Sequence, residues 1–88
     1  MKIKEGFLLR RVAGEHVVIP VGPACAIFNG IIKLNESSLP LWELLKSGAE
    51  EQKLADALQA EYGISAQQAA GDVSAFLVSL RKAGCIEE

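Results

Sequence analysis

Two hydrophobic periods divide this chain. Up to residue 34, apolar side chains come in β-branched and aromatic runs broken by turn residues, and from Asn35 onward they recur every three or four positions. In the first zone Phe7-Leu8-Leu9-Arg10-Arg11-Val12 and His16-Val17-Val18-Ile19-Pro20 flank Ala13-Gly14-Glu15. Two such runs around a glycine-bearing turn predict a hairpin with strands over about 7–12 and 16–20. The stretch from Val21 to Ala26, with Gly22 and Pro23, reads as a loop, and Ile27-Phe28-Asn29-Gly30 turns the chain into a third strand over about 30–34. Short connections make this an antiparallel meander whose first and third strands are edges. A strand that ends a short sheet beside a helix exposes unpaired N–H and C=O groups, a natural place for another peptide to join the sheet.

The second zone predicts three helices. The first, over about 38–46, is capped by Asn35 or by Ser38. Pro40 favours the later start, because inside a formed helix it would delete a hydrogen bond at a cost of about 3 kcal/mol, whereas in the first turn its missing N–H is unpaired anyway. Leu41, Trp42, Leu44 and Leu45 supply the buried face, and Ser47-Gly48 the stop. The second helix, over about 50–62, carries Leu54, Leu58 and Tyr62 in one stripe and ends at Gly63, with Ala49 in the cap position where Ser or Asp serves better. The third, over about 66–83, opens on Ser65-Ala66-Gln67-Gln68 in the manner of a capping box. Its stripe of Val73, Phe76, Leu77 and Leu80 follows the i, i+3, i+4, i+7 rule up to Gly84. The expected architecture is one α+β domain over residues 1–88, a three-stranded meander followed by three helices, in the manner of a winged helix-turn-helix.

Composition narrows the function. A chain of 88 residues buries only about two-thirds of its unfolded surface, which disfavours a deep catalytic cavity. Half of the residues are hydrophobic, yet no apolar run approaches the roughly 20 residues of a bilayer span. Arg10, Arg11 and Glu15 interrupt the apolar core that a signal peptide starting at Met1-Lys2-Ile3-Lys4-Glu5 would need. A soluble cytoplasmic protein with no membrane partner is expected. Cys25 and Cys85 then read as reduced thiols, with a disulfide left open.

Candidate chemistry is sparse. His16 is the only histidine, and no cysteine or carboxylate cluster of ligand-like spacing accompanies it, so neither metal nor organic cofactor is expected. With no phosphate loop or nucleophile elbow either, the chain reads as a non-enzyme. The alternative is a winged helix-turn-helix DNA-binding regulator. Residues 1–35 carry a charge of +3 but residues 36–88 carry −5, and the third helix offers only Arg81 and Lys82, at the wrong end for an N-terminally inserted recognition helix. Nucleic acid is not an expected partner.

Several spaced motifs together point to a family. They are Phe7-Leu8-Leu9-Arg10 with Val12-Ala13-Gly14-Glu15, then Gly30-Ile31-Ile32-Lys33-Leu34-Asn35-Glu36, then Leu41-Trp42-Glu43-Leu44-Leu45, and finally Asp72-Val73 with Phe76-Leu77, Leu80 and Gly84. In this order and spacing the chain, from about Phe7 to Ile86, resembles the PqqD family of pyrroloquinoline quinone biosynthesis. Pro40 and Ala49 depart from the family pattern at the starts of the first two helices. The resemblance implies a precursor-peptide recognition element, a chaperone that captures the leader segment of a ribosomally synthesised precursor peptide and presents it to a modifying enzyme, often a radical SAM enzyme. It further implies that the leader adds as a strand to the third strand's edge and packs toward the third helix.

The candidate peptide-binding residues are therefore Ile31, Ile32, Lys33 and Leu34 on the strand and Ala69, Asp72, Val73, Phe76 and Ser79 on the helix. Three of them have a competing structural reading. Lys33 also suits an edge guard against aggregation, Phe76 belongs to the core stripe, and Asp72 suits a solvated helix face. Trp42, among Leu41, Leu44 and Leu45, reads as core. The same free edge leaves self-association or strand swapping open.

Overall fold

In the computed structural model, which describes residues 1–26 and 30–88, Ala13 and Gly14 alone join strands β2 (Phe7–Val12) and β3 (Glu15–Pro20). Both have positive φ, 53° and 81°, the combination of a type I′ turn, whose twist matches that of the flanking strands. The turn fixes a register in which Phe7 faces Pro20 and Val12 faces Glu15. Strand β4 (Ile32–Leu34) pairs antiparallel with the other side of β3, giving the order β2-β3-β4. The expected meander is present, and the fold is α+β.

Because directly paired residues share a face, the register sorts the sheet. Val18, wholly buried, stands between Leu9 and Ile32 on the inner face. Val17 lies on the outer face between Arg10 and Lys33, and is buried there as well.

Strand β4 is shorter than the predicted 30–34. Its pairing stops at Val18 and Ile32. One step further would set Ile31 against Ile19, and the next Gly30 against Pro20, which has no N–H for a ladder and faces a residue that weakens strands. The expected turn through Ile27, Phe28 and Asn29 lies outside the described residues. The segment read as a loop is a 3-10 turn over Gly22–Ala26 with Ala24 buried. The Val21 N–H donates to the Gly6 carbonyl at 2.7 Å. Gly6 has φ 94°, and a Cβ there would come within 2.8 Å of the Ala24 Cβ, so the close approach requires glycine.

A second sheet has no counterpart in the sequence reading. Strand β1 (Lys2–Ile3) pairs antiparallel with β5 (Ile86–Glu87). The Lys4 N–H donates to the Cys85 carbonyl at 2.7 Å, and the Ala49 N–H to the Met1 carbonyl at 2.9 Å. Both chain ends are thereby tied to the helical layer.

The two candidate caps of the first helix both find a place. Asn35 caps a 3-10 turn over Glu36–Ser38, which leads into α1 (Leu39–Ser47) with Pro40 in the first turn. Helix α2 (Glu51–Tyr62) is preceded by Glu50, not Ala49, at the cap, and Glu50 makes no side-chain capping bond. Ala49 is buried instead. Gly63, at φ 64°, ends α2 in the left-handed conformation. Tyr62, expected in the buried stripe, is 46% exposed. Eight residues on from Leu54 the helix has turned about 80° past that residue's direction, far enough to carry the ring to solvent. Helix α3 (Ala66–Lys82) begins as expected, the Gln68 N–H donating to Ser65 Oγ at 3.0 Å.

Leu54, Leu58, Val73, Leu77 and Leu80 join Trp42, Leu41 and Leu45 from α1 and Phe7, Val18 and Leu34 from the sheet in one core. Both cysteines are free thiols, Cys25 exposed and Cys85 buried.

Two predictions test this framework. Ala13 holds a left-handed conformation that alanine disfavours, so Ala13→Asn should raise unfolding free energy by about 0.5–1 kcal/mol and Ala13→Val should lower it, measured by urea denaturation. Burial raises the Cys85 thiol pKa from 9.0 to about 11, against a smaller lowering effect of Lys4. Between these values the unfolded chain loses a proton that the native state keeps. Stability present below pH 9 should then fall as pH rises toward 11, by at most about 1.4 kcal/mol per pH unit. The slope should flatten in Cys85→Ala.

Candidate functional site

The free side of β4 faces one side of α3. Between them lies a groove of about 310 Å³. Ile32, Lys33 and Leu34 form its strand wall, and Asp72, Ala75, Phe76 and Ser79 its helix wall. Those four helix residues follow the i, i+3, i+4, i+7 spacing that sets side chains on one helix face. Leu41 of α1 and Leu58 of α2 complete the floor with Leu34 and Phe76, all four of them buried.

One end of the groove is polar and internally bonded. Asn35 Oδ1 accepts from the Ser38 N–H at 3.0 Å, from Ser38 Oγ at 2.7 Å and from Ser37 Oγ at 2.9 Å. With both hydroxyl protons committed to Asn35, the two serines keep oxygen lone pairs as acceptors, and the Asn35 amide keeps its N–H donors at the same end. A second hollow of about 230 Å³ shares Lys33, Leu34 and Asn35 with the first and extends toward Arg11, His16 and Glu36. Lys33 Nζ is 3.3 Å from Glu15 Oε2. Asp72 is in none of the four ion pairs among the described residues.

Of the nine candidate residues, the structure brings Ile32, Lys33, Leu34, Asp72, Phe76 and Ser79 to the groove. Ala69 and Val73 are wholly buried in the core beneath α3. Ile31 precedes the strand and is 57% exposed, away from the groove lining. Sequence reasoning missed Ala75, Leu41, Leu58, Asn35, Ser37 and Ser38. Ala75 was recoverable, since it completes the face marked by Asp72, Phe76 and Ser79. Leu41 and Leu58 carried no signal beyond that of core residues, and the Asn35–Ser38 segment read only as a helix cap. Trp42 is 2% exposed and belongs to the core.

The groove's chemistry is that of recognition through strand edge, apolar floor and polar rim. Among the described residues no group of His, Cys, Asp or Glu is placed to hold a metal ion, and no helix is long and apolar enough to cross a membrane.

Residues 15–86 match the family model of coenzyme PQQ synthesis protein D, PqqD. The chain belongs to this family. A comparison with curated proteins found no match. Among solved structures the chain is similar to TbiB1 in complex with the TbiA(beta) leader peptide, with a TM-score of 0.76 and 23% identity over 99% of this chain and 95% of that one. At that identity the likeness speaks for the fold, which this PqqD-family chain shares over nearly its whole length.

The polar end of the groove yields a prediction. Asn35→Ala removes the acceptor of three hydrogen bonds and the cap of the turn leading into α1, and should lower stability by about 1 kcal/mol in thermal or urea unfolding.

Proposed function

We propose that this PqqD-family chain is a non-catalytic peptide-recognition module of the cytoplasm. It takes the leader segment of a ribosomally synthesised precursor peptide as an added strand on the free edge of β4, and presents it to a separate modifying enzyme of the radical SAM class. The observation that carries this reading is the groove itself, in which an unpaired strand edge and an apolar-floored helix face form opposite walls. An extended peptide needs both. Main-chain groups of alternate β4 residues supply sequence-independent hydrogen bonds, while every second peptide side chain turns toward α3. The resemblance of the fold to TbiB1, captured with a leader peptide, supports the same reading.

The competing DNA-binding reading gains nothing from the surface of α3. Its cations, Arg81 and Lys82, sit in the last turn, and Arg81 Nη2 is 3.3 Å from Glu88 Oε1.

Phe76 is part of the core as well as the groove, so its truncation would mix folding with binding. Ala75 is exposed on the groove wall, and Ala75→Trp fills the cavity while leaving the core intact. In fluorescence anisotropy with the leader of the precursor peptide encoded beside its gene, wild type should bind. Ala75→Trp should weaken binding at least about tenfold, some 1.4 kcal/mol. Amide shifts on binding should centre on β4 and α3. Salt-sensitive binding of random duplex DNA with no response to leader would overturn the proposal.

A further inference from the structure

We propose that the leader carries a lysine or arginine that pairs with Asp72, two residues along the peptide from the apolar side chain resting on Phe76. The inference builds on the peptide-binding reading above and adds the charge and the register that the groove selects.

The polarity follows from which charges are already engaged. Lys33 carries its charge on the outer face of the sheet beside Val17, with Glu15 within 3.3 Å. Asp72, on the opposite wall, is exposed and is in none of the ion pairs among the described residues. At the polar end, Ser37 and Ser38 direct their hydroxyl protons to Asn35 Oδ1, which leaves serine lone pairs beside the N–H donors of the Asn35 amide. Asp72 is the one charged side chain of the helix wall, and it matches a cationic side chain. An acidic one would meet the like charge of Asp72 on that wall.

The register follows from two repeats. Asp72 and Phe76 are one helical step of four residues apart, a rise of about 6 Å along α3. Peptide side chains on the same face of an added strand recur every two residues, about 6.6 Å. The two spacings agree closely enough for one peptide side chain to lie over Phe76 while its neighbour on that face reaches Asp72.

The test uses a random 14-residue peptide library displayed on its encoding RNA and selected against wild type, Asp72→Asn and Asp72→Lys, with folding of each variant checked by circular dichroism. Wild type should enrich Lys or Arg two positions from a bulky apolar residue. Asp72→Asn should lose that preference and weaken a selected peptide about three- to fivefold, the range of an exposed ion pair. Asp72→Lys should favour Asp or Glu at the same position. Selected peptides that fail to bind Ala75→Trp but show no basic preference would overturn this inference while leaving the groove reading intact. An acidic preference lost in Lys33→Gln would overturn it equally. Peptides that bind Ala75→Trp as well as wild type would overturn the groove reading and this inference with it.

Discussion

Leu34, Leu41, Leu58 and Phe76 are core and binding surface at once. The groove has no floor of its own; it is the place where the common core of sheet and helices comes within reach of the surface between β4 and α3. Everything else about the site depends on that sharing. A buried apolar residue truncated to alanine costs about 2–5 kcal/mol, a large fraction of the stability of an 88-residue domain. The floor is therefore fixed by folding, whatever peptide it meets. Only residues that line the groove without filling the core, such as Asp72, Ala75 and Ser79, are free to differ without unsettling the fold.

What the sequence made legible is what repeats or caps. Helix α3 could be bounded closely because Ser65 caps it and its buried apolar residues recur from Ala69 to Leu80, about three turns, and the α2 stop was visible in Gly63. The hairpin was visible in two β-rich runs around a glycine. The paired ends were not, since β1 and β5 have two residues each, too few for any period, and their partners lie at opposite ends of the chain. The site was half legible for the same reason. Phe76, Asp72 and Ser79 share a helix face that spacing reveals, whereas Ala69 and Val73 lie on that helix but turn inward. Whether a helical residue faces groove or core depends on what packs against it, and for α3 those partners lie far off in the chain, in the sheet and in α1 and α2.

The brevity of β4 also reconciles two opposing demands. A long flat free edge binds peptides well, but it invites copies of the same chain to pair with it. Three residues present few main-chain groups, too few to hold another sheet edge by hydrogen bonds alone. Lys33 adds a charged side chain on the outer face, held by Glu15, which discourages a second sheet from stacking there. A peptide that also places side chains against α3 gains contacts that bare edge pairing lacks. The short strand thus favours a ligand that fills the groove over one that merely extends the sheet.

That division of labour locates discrimination between peptides. Main-chain bonds to β4 are available to any extended segment other than one interrupted by proline, so they contribute affinity without choice. The apolar floor distinguishes large side chains from small ones, a coarse criterion that many peptides meet. Finer choice falls to polar atoms at the rim, where an unmatched charge loses its water without gaining a partner. In this chain the rim carries an aspartate that is in none of the ion pairs among the described residues and two serines whose protons are already engaged. A single fold can in this way serve different peptides through changes at a few exposed positions of α3 and of the segment after β4, with the core beneath them unaltered.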